Sequence, residues 1–306
     1  MQRIAFAAVV ALLAGTAAPI AQGQIEKNVV YGMYGGLALL MDVYHPAIPN
    51  GYGVIVIPGS GWQSELAYNA EPLKDRPRGL ELVPPVVTAG YTAFVVSHRS
   101  APAFRYPAAV DDVQRAVRYV RHQATHFGVD PVRIGAVGHS SGGHLALMLG
   151  VLDGNGKSEE PDPVNRENAR VQAVVAITAP TDLAAFGPAL GAPFADTFVG
   201  AVHTTPRLEP HLAGSPEWKL FHDASPLSWV TRDDAPTLLV HGTEDPVVPV
   251  VQSQTMYKAL TAAGVPADLM LIPNGGHAWD KNWEGFSEAL VRWLDKHLRA
   301  SPSTAR

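Results

Sequence analysis

The residues best suited to breaking a covalent bond are Gly138-His139-Ser140-Ser141-Gly142. They fit the G-x-S-x-G pattern, in which a serine on a sharp strand-to-helix turn holds its hydroxyl clear of a sheet. Glycines two residues to either side let strand and helix approach closely. Residues 132–137 read as a strand and residues 143–148 as the start of a helix, which is the context the pattern needs. Ser140 is therefore the expected nucleophile. Its hydroxyl needs a base and the base needs an acidic group, in the chain order Ser, then Asp or Glu, then His. Asp245, in the loop after the apolar run that ends at Val240, is the expected acid, with Glu244 as its nearest rival. His277 is the expected general base, because Gly275-Gly276 lets its loop swing over the sheet edge.

Acyl transfer also needs donors aimed at the oxyanion. The expected donors are the backbone N–H groups of Ser141 and, from Pro58-Gly59-Ser60-Gly61-Trp62, those of Ser60 and Gly61. Trp62 is expected as a wall of the substrate pocket. His98, His139, His144 and His241 fall at or beside strand ends near the serine, where polar core roles are the rule. His139 is the candidate among them to touch substrate. His203, His211 and His222 lie in a later insertion and read as surface residues. His139 and His144 are five apart and H-E-x-x-H does not occur, so no catalytic metal is expected. The absence of cysteine excludes a thiol nucleophile, a thiolate metal site and any disulfide.

Positioning these groups requires a sheet. Residues 28–33 and 37–44, separated by Gly35-Gly36, predict an opening hairpin. Short apolar runs at 53–57 and 92–97 suit strands buried on both faces, and residues 132–137, 171–177, 237–240 and 267–272 read as further strands. Between them, Val110, Val113, Val117 and Val120 fall at helical spacing, with Asp111 and Asp112 in the first turn. Arg115, Arg118 and Arg121 are expected on the solvent face of that helix. Residues 142–151, 253–263 and a closing stripe from Phe286 to Leu298 complete an alternation that predicts a mostly parallel, doubly wound sheet of about eight strands. Residues 63–85 and 153–170 resist the scheme. Residues 183–232 read as a small insertion capping the carboxyl edge of the sheet.

Residues 1–23 carry one positive charge, an apolar run from Ile4 to Ala14 and small residues after it, which predicts a cleaved secretory signal. That run is too short for a membrane anchor, which needs roughly 20 residues. Residues 24–306 then form one α/β domain in the periplasm or outside the cell. A net charge of −5 with no basic run removes the usual basis for nucleic-acid binding.

Taken together, these segments resemble the α/β-hydrolase superfamily, and within it the carboxylesterase branch that holds hormone-sensitive-lipase-like and feruloyl-esterase-like enzymes. The likeness runs through Leu40-Met41-Asp42-Val43-Tyr44-His45-Pro46, Ser97-His98-Arg99 with residues 106–112, residues 138–146 and Asp245-Pro246-Val247-Val248-Pro249. It implies the α/β-hydrolase fold and a cofactor-free serine esterase whose catalytic Ser, Asp and His are Ser140, Asp245 and His277. The branch usually has His-Gly-Gly-Gly where this chain has Pro58-Gly59-Ser60-Gly61, and an aspartate and tyrosine where it has Ser97-His98. The expectation is an exported hydrolase of small or short-chain acyl esters, its partner a small-molecule ester. The alternatives are a serine peptidase of the prolyl-oligopeptidase type and a non-catalytic binding protein on the same fold.

Overall fold

The computed structural model describes residues 23–186, 192–201, 214–278 and 283–299. Apart from Gly23, the expected signal lies outside them, as do His203, His211 and Trp279. The strands are β1 (Ile25–Tyr34), β2 (Leu37–Tyr44), β3 (Gly53–Ile57), β4 (Thr92–Val96), β5 (Ile134–His139), β6 (Ala173–Ile177), β7 (Thr237–Gly242) and β8 (Ala267–Ile272). They form one sheet in the order β1-β2-β4-β3-β5-β6-β7-β8. The β1–β2 and β2–β4 pairs are antiparallel and the others parallel. The fold is that of the α/β-hydrolases. Gly35 and Gly36 turn the hairpin with both φ angles positive, at 55° and 87°, as a tight two-residue turn requires.

Between the strands lie α1 (Pro77–Leu80), α2 (Val83–Thr88), α3 (Ala108–His122), α4 (Ala124–Phe127), α5 (Ser141–Val151), α6 (Ala192–Val199), α7 (Pro216–Asp223), α8 (Val251–Ala263) and α9 (Phe286–Leu294). Strand side chains alternate between two cores. Ile55 and Ile57 of β3 join the apolar faces of α3, α5 and α8, while Val54 and Val56 join α2 and α9. Because β5 is central, α5 is buried along its whole length. It therefore carries no polar stripe, and its apolar run reads as neither amphipathic nor exposed.

Three expectations change here. Residues 63–85 are irregular by pattern, yet α1 lies within that stretch and α2 begins in it, holding Pro84 and Pro85 in its first turn where missing N–H groups cost nothing. Asp112 is buried rather than facing the helix dipole from solvent: its carboxylate takes the Arg99 guanidinium at 2.7–3.0 Å and the Arg99 N–H at 2.7 Å. Arg115, Arg118 and Arg121 are half-covered rather than on an open face. Residues 153–170 fold over them, and the arginines donate to the carbonyls of Tyr31, Glu167 and Arg170.

Histidine joins the two sides of α5 to the loops above the sheet. His144 is fully buried; its Nε2–H donates to the Ala224 carbonyl at 2.7 Å and its Nδ1 accepts from Trp62 Nε1 at 3.1 Å. The first bond uses the one proton of a neutral imidazole and the second its free lone pair. Burial pushes its pKa down to about 4.

Two outcomes follow. Asp112→Ala, which strands a buried guanidinium, is expected to lower the unfolding free energy in urea by about 3–5 kcal/mol. His144 is neutral when folded but protonates near pH 6.5 when unfolded, so its contribution is complete above that pH. As pH falls from 6.5 towards 4 the contribution drains by about 3 kcal/mol, a slope that urea titrations across that window should show and that His144→Gln should flatten.

Candidate active site

The turn from β5 into α5 holds Ser140 at φ 55° and ψ −124°. Such a backbone costs about 1–3 kcal/mol and persists only where neighbours over-determine it. Here the Ser140 N–H donates to the Ile177 carbonyl at 2.8 Å and its own carbonyl takes the His144 N–H at 2.9 Å. A Cβ on Gly138 would stand 2.2 Å from the Gly142 carbonyl oxygen, and one on Gly142 would stand 2.0 Å from that of Ile57. Any side chain at either position would force strand and helix apart.

Ser140 Oγ lies 2.9 Å from His277 Nε2, and His277 Nδ1 lies 2.8 Å from Asp245 Oδ2. A carboxylate only accepts, so Nδ1 carries the proton and Nε2 is left to accept from the hydroxyl. Asp245 comes from the loop after β7, and its other oxygen takes the N–H groups of Val247 and Val248 at 2.8 and 2.9 Å. Burial opposes its charge, but the bonds from His241 and His277 outweigh it and hold the carboxyl well below the ordinary range. Glu244, its rival by sequence, is exposed.

His277 follows β8, and two side chains grip its carbonyl: His139 Nε2–H at 2.8 Å and Thr178 Oγ1 at 3.2 Å. His139, expected to touch substrate, therefore braces the loop of the base instead. Burial, and then the nearness of His277, push its pKa down to about 3, which keeps it a neutral donor. Thr178 was not singled out by sequence. The available signal was its place directly after β6, at the same sheet edge, where it adopts a φ of 45°.

The Gly-rich loop after β3 also differs from expectation. The Ser60 N–H donates to Ser141 Oγ at 2.8 Å, so this amide ties the loop to α5 instead of standing ready for an oxyanion. Among the described residues, the Gly61 and Ser141 N–H groups have no such acceptor. Pro58, where the resembling branch has histidine, packs on Gly79 of α1; a Cβ there would fall 2.5 Å from the proline ring. Trp62 is not a pocket wall. Only 2% of its surface is exposed, and its ring stacks on Phe198 at 4.6 Å. Phe194, also on α6, is the aromatic at the loop: its ring would meet a Cβ on Gly61 at 2.7 Å. The insertion expected over 183–232 thus contributes α6, α7 and their flanks among the described residues, with α6 against the loop after β3. A separate groove of about 770 Å³ between β1, α3 and residues 155–165 contains none of these groups and is lined by paired ions such as Arg115 and Asp162.

Comparison with known proteins agrees with this geometry. The chain is 30% identical to the esterase LipQ of Mycobacterium tuberculosis over 261 residues, which is 83% of this chain and 57% of that protein. It is 25% identical to the acylamino-acid-releasing enzyme of Rattus norvegicus over 89% of its length and 35% of that protein. The chain therefore spans less than two thirds of either relative. Among solved structures, a truncated carbohydrate esterase from gut microbiota superposes with a TM-score of 0.74 at 25% identity, covering 92% of this chain and 99% of that one. A family model for BD-FAE matches residues 41–260, well over half of the sequence. The chain belongs to the BD-FAE family.

Proposed function

We propose that this protein is an exported serine carboxylic-ester hydrolase that acts on small or short-chain acyl esters through an acyl-enzyme. The observation that carries the reading is the unbroken hydrogen-bonded chain Ser140–His277–Asp245 beside two unsatisfied backbone donors. Esterase relatives support the reaction class. In this reading Ser140 Oγ attacks the ester carbonyl as His277 Nε2 takes its proton. Asp245 keeps the imidazole in the tautomer that can do so and stabilises the imidazolium that results. The N–H groups of Ser141 and Gly61 receive the oxyanion. Collapse of the intermediate expels the alcohol, which leaves with the proton held on His277. Water, deprotonated by the same nitrogen, then releases the acid and restores Ser140. The ring of Phe194 over Gly61 supports a small acyl pocket, and the apolar stretch of residues 4–14 supports export.

A second reading has its own support. The likeness to an acylamino-acid-releasing enzyme favours a peptidase that cleaves an amide next to an acylated residue, with the same three side chains. An acetyl-aminoacyl p-nitroanilide separates the two, since an esterase of this kind should turn it over far more slowly than the matching ester.

Hydrolysis of p-nitrophenyl esters from acetate to palmitate tests the proposal. The ratio kcat/KM should be highest between acetate and butyrate and fall for longer chains. Ser140→Ala should lower it by about 10⁴-fold or more with the fold intact. Full activity in that variant, or no turnover of any ester, would overturn the assignment.

A further inference from the structure

The mechanism leaves one buried histidine beside the triad without a role. His241, the fifth residue of β7, has a fully buried side chain. Its Nε2 is 2.9 Å from the Val248 carbonyl and 3.3 Å from Asp245 Oδ2, the same oxygen that receives His277. Both neighbours are acceptors only, so Nε2 carries the proton. Nδ1 is then bare, and it lies 2.7 Å from the hydroxyl of Ser253, which is itself fully buried in the first turn of α8. That hydroxyl must donate. In the neutral tautomer Ser253 donates to His241 Nδ1, the His241 Nε2–H goes to the Val248 carbonyl with Asp245 Oδ2 as a longer second acceptor, His277 donates to that same Oδ2, and Ser140 donates to His277.

We infer that His241 and Ser253 are positioning residues which extend the catalytic chain past Asp245, fixing the rotation of its carboxylate and sharing its charge between two imidazoles. The inference rests on the ester-hydrolase reading above. Its physical content is that Asp245 Oδ2 receives the His277 N–H and also has the His241 N–H, shared with the Val248 carbonyl, 3.3 Å away. Removing the His241 N–H leaves the whole of that oxygen's charge to His277, which then binds its proton more tightly, while the carboxylate loses one of the contacts that aim it. The acid must still be ionised to act, and its two backbone donors from Val247 and Val248 remain. The other titratable groups facing the chain are His139, whose ring lies 5.0 Å from that of His277, and Arg78, whose charge reaches His139. Neither contacts His241 in the row just described. Ser253 is fixed in turn because its neighbour Gln252 accepts the N–H groups of Thr181 and Asp182 at 2.7 Å each.

The test compares His241→Met, which keeps length without a donor, with His241→Gln, whose amide can place an N–H where Nε2 stood. Wild type and variants are assayed for p-nitrophenyl acetate hydrolysis across pH, and Ser140 labelling by a fluorophosphonate is timed in parallel. The Met variant should lose about 30-fold in kcat and in labelling rate with KM nearly unchanged. Its acidic limb should move up by about half a pH unit. The Gln variant should recover most of both. Equal losses in Met and Gln with the limb unmoved would reduce His241 to packing and overturn the inference. Should the Met variant fail to fold, Ser253→Ala decides, since it leaves β7 whole: a lower kcat with a shifted limb supports the inference, and wild-type values overturn it. If the wild type is neither labelled nor hydrolytic, the ester-hydrolase reading itself fails. A wild type labelled at Ser140 beside a Met variant labelled as fast fails the inference alone.

Discussion

Everything at the site depends on one strained residue. Ser140 can hold its left-handed backbone only because β5 runs straight into α5 with a glycine at each close approach. The same turn leaves the Ser141 N–H without a backbone acceptor among the described residues and places the Ser141 hydroxyl where it can hold the loop after β3. It also sets His139 under the loop that carries His277. A single turn thus fixes the proposed nucleophile, a proposed oxyanion donor and the supports of two neighbouring loops. The cost of the strain is spread over a core in which β5 and α5 are wholly buried.

Around that turn the chain uses histidine as a connector. His139, His144 and His241 each give their Nε2 proton to a backbone carbonyl, of His277, Ala224 and Val248 respectively. A lysine or arginine could reach as far, but it would bring a charge that burial makes costly. For His139 and His144 burial itself suppresses protonation, so each stays a neutral donor. At the triad the carboxylate of Asp245 has the N–H groups of Val247, Val248 and His277 on its two oxygens and the Nε2 of His241 3.3 Å away.

Much of this was legible in the sequence, and for identifiable reasons. Apolar runs of strand length marked β3 and β4 because both of their faces are covered, and Gly35-Gly36 marked the hairpin because that turn needs two positive φ angles. Ser140, Asp245 and His277 were legible because their motif, order and flanking strands are local properties, and the three side chains meet within hydrogen-bonding distance. What escaped depends on partners far along the chain. The Ser60 amide could not be seen to be taken, since its acceptor is 81 residues away. Asp112 looked like a helix-dipole residue because nothing local announces Arg99. The α2 helix was hidden by Pro84-Pro85, residues that end helices in their interior yet fit their first turn. His139 and Trp62 stand next to reactive groups in sequence, and sequence adjacency says nothing about which way a ring turns.

The three side chains of the proposed triad do not ride on equally protected strands. Ser140 leaves the centre of the sheet, whereas His277 leaves β8, which pairs on one side only and has partly exposed side chains along most of its length. Native proteins open in cooperative units of unequal free energy, and an edge strand with a loop belongs to the less costly ones. The grips of His139 and Thr178 on the His277 carbonyl are then what separate a competent molecule from one that is folded and idle. In such an architecture, opening of one outer strand would release His277 while the remaining seven strands still hold together.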